Sequence, residues 1–152
     1  MNFPRILKKR KGYIVRIKPF MQKSVVKVLT GQRRVGKSFL LYQLIEEILA
    51  EEPDANIIYV NLEDFTFSSL QTAEDLHSYI ISHSKEKVKN YIFIDEIQDI
   101  PGFEKVIRSL LLNEDNDIYI TGSNAKMLSG ELATYLSGRY IEFKIYSLCL
   151  LY

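Results

Sequence analysis

The stretch Gly31-Gln32-Arg33-Arg34-Val35-Gly36-Lys37-Ser38 fits the pattern G-x-x-x-x-G-K-[ST]. Those residue types at that spacing suit a loop that wraps phosphate. Glycines let the backbone turn sharply and aim successive N–H groups at anionic oxygens. Lys37 would reach the β- and γ-phosphates, and Ser38 would place its hydroxyl on a magnesium ion. Gln32, Arg33, Arg34 and Val35 fill the variable positions and Phe39 follows the hydroxyl, so Gly31 to Phe39 is the expected nucleotide-binding set. The two arginines are expected only as secondary contacts. By composition alone the four fixed positions recur in roughly one chain in a couple of hundred of this length. The same residues also make a basic, glycine-bearing turn, so the flanking elements decide.

A second group completes the chemistry. Tyr91-Ile92-Phe93-Ile94 is an apolar run that ends in two adjacent carboxylates, Asp95 and Glu96. In an open α/β sheet, ligands sit at the carboxyl ends of the strands. Asp95 there would hold Mg²⁺ together with Ser38. Glu96 would orient an attacking water or take its proton. Two acids can also simply cap a strand; their pairing with Gly31–Ser38 favours the catalytic reading. A water-activating acid suits an ATP hydrolase, whereas a small-molecule kinase has no need of it. Ser123 and Asn124, at the end of another strand, are placed to touch a γ-phosphate or the lytic water, although Gly-Ser-Asn is also ordinary turn chemistry. Arg139 precedes the last strand, where it would stabilise charge on a transferring phosphoryl group or pair with a rim acid. Lys37, Glu96, Ser123, Asn124 and Arg139 form the expected catalytic set, with Ser38 and Asp95 on the metal. His77 and His83 lie on different helix faces without cysteine partners, which argues against a metal site between them.

These groups need a scaffold, and the chain alternates strand-like and helix-like runs. Residues 25–30 read as a strand that delivers the chain directly into the loop. From Ser38 to about Glu51, Leu40, Leu41, Leu44, Ile48 and Leu49 form one helical stripe, with Pro53 beyond its end. Strands are expected at 56–63, 91–95, 117–124 and 139–146. Helices are expected after Thr72, over 102–113 and over 125–136. Residues 13–23 read as a short helix that Pro19 breaks or bends. Five strands separated by helices predict a parallel sheet with helices on both sides, an α/β architecture.

The chain has 152 residues, 47% hydrophobic and 26% charged, which excludes disordered and fibrous classes and suits one domain. A lone cysteine, Cys149, and the absence of a long apolar run point to a cytoplasmic protein with no membrane partner. Residues 1–19 carry seven Lys or Arg and no acid, leaving 13 basic against 19 acidic residues elsewhere. Such an arm can contact nucleic acid, though no aromatic stacking pattern is interleaved with its charges and it is also what a solvated segment looks like.

Taken in order, Lys27 to Leu41, Tyr91 to Gln98, Ile118 to Asn124 and Glu131 to Phe143 resemble the prokaryotic AAA+ superfamily ATPases in which an AAA-type domain precedes a C-terminal domain of uncharacterised function. The resemblance implies a P-loop NTPase three-layer α/β/α sandwich with sheet order 5-1-4-3-2, ATP and Mg²⁺. It also implies Lys37 and Ser38 in Walker A, Asp95 and Glu96 in Walker B, and Ser123 or Asn124 as sensor 1. Arg139 matches an arginine finger acting on a neighbouring subunit of a homo-oligomer. The implied division is a basic arm and short helix over 1–24, the ATP-binding domain over 25–147 and an apolar tail over 148–152. Proteins of that kind continue into a further helix and a second domain. Here the chain reads Ser147-Leu148-Cys149-Leu150-Leu151-Tyr152, so a truncated form of an ATPase that couples hydrolysis to conformational change is expected, with weak turnover. The alternative is a nucleotide-binding fragment that acts as an interaction module.

Overall fold

The computed structural model describes residues 9–123 and 130–147. Strands β1 (Val26–Thr30), β2 (Asn56–Asn61), β3 (Asn90–Asp95), β4 (Asn116–Gly122) and β5 (Tyr140–Lys144) pair in parallel in the order β2-β3-β4-β1-β5. That is the expected order, counted from the opposite edge. Val28 stands opposite Ile120 of β4 on one side and Glu142 of β5 on the other, so β1 lies inside the sheet. Helices α1 (Lys11–Ile17), α2 (Lys37–Glu51), α3 (Ala73–His83), α4 (Phe103–Leu110) and α5 (Gly130–Leu136) connect and cover the strands.

Side chains alternate across a strand, and the two resulting faces have separate cores. Val26, Val28, Ile92, Ile94, Ile118 and Ile120 pack with residues of α3, α4 and α5, among them Leu76, Ile107 and Leu136. Leu29, Tyr91, Phe93, Tyr119 and Phe143 pack with Ile14 and Ile17 of α1 and Leu40, Leu41, Leu44, Ile45 and Ile48 of α2. The sheet is therefore the middle of three layers. Asp95 shares the parity of Phe93, and Thr121 that of Tyr119. Both point to the α2 side, where the loop leads into Ser38.

Several boundaries differ from the sequence reading for identifiable reasons. Pro19 has no N–H to donate to Val15, so α1 gives way to a 3₁₀ turn over Lys18–Phe20. Helix α4 stops at Leu110 rather than 113, and Asn113 Oδ1 accepts the Asp115 N–H at 2.9 Å, an Asx turn that leads into β4. Thr72 caps α3 as expected: its hydroxyl accepts the Asp75 N–H while Asp75 accepts the Thr72 N–H, each at 3.1 Å. Asn124, the part of the expected helix over 125–129, Arg5, Lys8 and the 148–152 tail lie outside the described residues.

Lys27 of β1 and Asp117 of β4 form an ion pair with both side chains fully enclosed. The Tyr119 hydroxyl and the Gln22 N–H also donate to Asp117, at 2.7 and 3.0 Å. Burial pushes the Lys27 amine below its ordinary pKa, against the pull of Asp117. Among the described residues no helix is long and apolar enough to cross a membrane.

Candidate functional site

The loop between β1 and α2 depends on its two glycines. Gly31 has φ +153°, and a Cβ there would stand 2.4 Å from the Ile145 carbonyl oxygen. The chain leaving β5 passes this close because the Ile145 N–H donates to the Thr30 carbonyl at 2.7 Å. Gly36 takes φ +95° as the N-cap of α2 and supplies no side-chain acceptor for the first-turn N–H groups. Those donors and the positive end of the α2 dipole make an anion site.

Lys37 is 4% exposed. Its Nζ donates to the carbonyls of Gly31 and Gln32 at 2.6 and 2.8 Å and to Ser123 Oγ at 3.3 Å. Glu96 Oε1 lies 4.0 Å away. Burial lowers the Lys37 pKa, while Glu96 and Asp95 oppose that shift. The loop thus folds around a cation held mostly by neutral carbonyls, an arrangement that favours the arrival of negative charge.

Asp95 is 1% exposed at the carboxyl end of β3. The Ser38 hydroxyl donates to its Oδ2 and the Thr121 hydroxyl to its Oδ1. The Tyr59 hydroxyl reaches Oδ2 at 3.4 Å. Burial raises the Asp95 pKa, and the Ser38 and Thr121 hydroxyls pull it back. Tyr59 is itself pushed above the ordinary phenol range, first by burial.

By strand parity the residue after Asp95 would face the α4 layer, away from Lys37. Instead Glu96 adopts φ +59°, ψ +50°. A side-chain-bearing residue in that left-handed region costs on the order of 1–2 kcal/mol. Its N–H is anchored on Thr121 Oγ1 at 2.9 Å, and the turn brings the carboxylate back to Lys37. Ser123 Oγ donates to Glu96 Oε1 at 2.6 Å and Gln98 Nε2 to Oε2 at 2.5 Å. Thr121 therefore bridges the two acids, and both oxygens of Glu96 are held.

Lys37, Ser38, Asp95, Glu96 and Ser123 thus converge. Arg33 is instead 69% exposed and pairs with Glu63 at 3.2 Å. Arg34 is exposed with φ +67°. Phe39 is 46% exposed and meets the Tyr42 ring edge-on at 6.0 Å. Arg139 lies apart: its carbonyl accepts the Val26 N–H at 3.0 Å, at the amino end of β1, whereas the loop follows the carboxyl end. It does not join the site of its own chain. The described residues hold no cluster of three or more His, Cys, Asp or Glu suited to a metal. Four contributors escaped the sequence reading: Thr121, Tyr59, Gln98 and Arg10. Parity relative to Tyr119 is the signal that would have found Thr121. Arg10, counted there with the basic arm, is 7% exposed and bonded to the Val35 carbonyl.

A family model described as "AAA domain" matches residues 23–151. An uncharacterized protein of Haemophilus influenzae is 43% identical over 146 residues, covering 91% of this chain and 35% of its own length. An uncharacterized protein of Methanocaldococcus jannaschii is 36% identical over 121 residues, covering 79% of this chain and 26% of its own. The chain therefore spans about a third or less of these relatives. The Aeropyrum pernix ORC1 protein, solved in complex with DNA, superposes with a TM-score of 0.61 at 15% identity, over 93% of this chain and 46% of that one, a likeness of fold.

Proposed function

The chain belongs to this AAA domain family, and from that premise we propose that it binds ATP with Mg²⁺ at the Gly31–Ser38 loop and hydrolyses it. The observation that carries the reading is the convergence of Lys37, Ser38, Asp95 and Glu96 where β1 and β3 end. The donor set fits the metal. Ser38 and Asp95 offer hard oxygen ligands already in contact, and a magnesium site completed by phosphates and water needs few protein ligands. When bound there, the ion would neutralise charge on the phosphates.

The protein's own groups divide the remaining work. Loop N–H groups and the amino end of α2 bind and orient the phosphates. Lys37 gives up carbonyl contacts to meet the β/γ oxygens. Thr121 fixes the orientation of Asp95 and the backbone of Glu96. Glu96 aims a water or holds its proton, with Ser123 beside it.

Arg139, at the amino end of the sheet, is assigned to the site of a neighbouring copy in a homo-oligomer. Turnover is expected to drive rearrangement of further parts of a cytoplasmic protein. The greater length of the relatives supports that coupling. A nucleic-acid role for the basic arm has less support, because Lys9 and Lys18 both pair with Glu47 and Arg10 is buried. Glu96→Gln tests the reading. It should keep ATP affinity and lose phosphate release, since an amide cannot take a proton from water; release at the wild-type rate would contradict it.

A further inference from the structure

We propose that Arg10 is a positioning residue of the phosphate loop: its guanidinium fixes the peptide that presents the Gly36 N–H and ties that peptide to the chain leaving β5. The proposal rests on the nucleotide-binding reading above. Arg10 Nη1 donates to the Val35 carbonyl at 2.7 Å and Nη2 to the Tyr146 carbonyl at 2.6 Å. Its backbone N–H donates to Gln43 Oε1 of α2 at 2.9 Å. The guanidinium carbon sits 4.5 Å from the centre of the Tyr13 ring, and the Tyr13 hydroxyl accepts the Tyr146 N–H at 3.0 Å. Residue 146 is therefore held at both its N–H and its carbonyl, and the same guanidinium reaches the loop.

The consequence for the loop follows from peptide geometry. In a planar trans peptide the C=O and the next N–H point in opposite directions. With the Val35 carbonyl turned out onto Arg10, the Gly36 N–H turns the other way. The guanidinium stands close on this outer side, since a Cβ on Gly36 would come within 3.2 Å of Nη1. Arg10 thus selects which face of the peptide an anion meets.

Its charge adds to this. Among the described residues no carboxylate pairs with Arg10. Its Nε is buried without a hydrogen-bond partner. A buried cation that meets only carbonyls and an aromatic ring retains its field, and an anion in the loop lowers that cost. Lysine could supply the charge but not the fork that spans two carbonyls.

The test compares wild type, Arg10→Met, Arg10→Lys and Tyr13→Phe by calorimetric titration with MgATP, by steady-state phosphate release and by the Gly36 amide resonance in the free protein. Arg10→Met should weaken MgATP binding roughly ten- to a hundredfold, the worth of one charge-assisted hydrogen bond. KM should rise while kcat stays within about threefold, because the loss is in ground-state binding. Tyr13→Phe, which loosens only the Tyr146 N–H, should keep wild-type affinity. A folded Arg10→Met protein with wild-type affinity overturns the proposal, as does an equal loss in Tyr13→Phe. If Arg10→Met does not fold, Arg10→Lys decides through the Gly36 amide: a displaced resonance supports the proposal and an unmoved one overturns it. If wild type itself fails to bind MgATP, the nucleotide reading falls, and the amide still judges Arg10.

Discussion

Gly31→Ala probes the close passage of two chain segments that shapes the loop. The new Cβ would stand 2.4 Å from the Ile145 carbonyl oxygen, a backbone atom that yields only if the exit of β5 moves. Moving it stretches the Ile145 N–H bond to Thr30, 2.7 Å in the native fold. Weakening that bond costs about 0.5–1.5 kcal/mol. Holding alanine at a backbone φ of +153° adds on the order of 1–3 kcal/mol. The total, roughly 2–4 kcal/mol, corresponds to a fall in Tm of roughly 5–15 °C for a domain of this size. Gly12→Ala is the control, because nothing lies within 4 Å of its added methyl group. Thermal unfolding by circular dichroism should show a clear loss for Gly31→Ala and none for Gly12→Ala. A Gly31→Ala protein that melts within about 1 °C of wild type would refute the claim that backbone approach dictates this glycine.

Lys27→Met should destabilise the fold by about 3–5 kcal/mol at neutral pH, because Asp117 stays buried without its cation. Burial holds the folded-state pKa of Lys27 below 10.5, so the unfolded chain binds more protons in the alkaline range just under that value. Wild-type stability therefore gains with pH there, and its lead over Lys27→Met should widen; a lead that narrows in denaturant titrations would reverse the assigned shift. Arg139→Ala should leave ATP affinity unchanged and cut turnover by on the order of 10³-fold or more. Wild-type turnover per chain should rise with protein concentration; fast, concentration-independent release untouched by the substitution would remove Arg139 from a neighbour's site.

The sheet and the loop were legible because their signals are local. Apolar runs such as Tyr91 to Ile94 mark strands buried on both faces, and Gly31 to Ser38 carries its own spacing. Thr72 and Asp75 announce the start of α3 within four residues. The contributors that escaped depend on distant partners. Arg10 looks like one more charge in a basic run, yet its partners lie 25 and 136 positions away. Lys27 is buried by an acid 90 positions on. The apolar run Leu110 to Leu112 extends a helical pattern that the fold does not keep, for Leu112 is 79% exposed. Glu96 was legible as a carboxylate beside Asp95. Its left-handed backbone was not, because it depends on Thr121 of the neighbouring strand.

Calorimetric titration of wild type and Lys37→Ala with MgATP tests the nucleotide site most directly. Lys37 is the buried amine at the centre of the loop, bonded to Gly31, Gln32 and Ser123. Its removal takes away the cation aimed at the phosphates while both cores of the sheet stay intact. Wild type should show saturable binding, and Lys37→Ala, with an unchanged near-ultraviolet circular dichroism spectrum, should show none. A folded Lys37→Ala protein that binds MgATP with wild-type affinity would contradict the assignment of this loop.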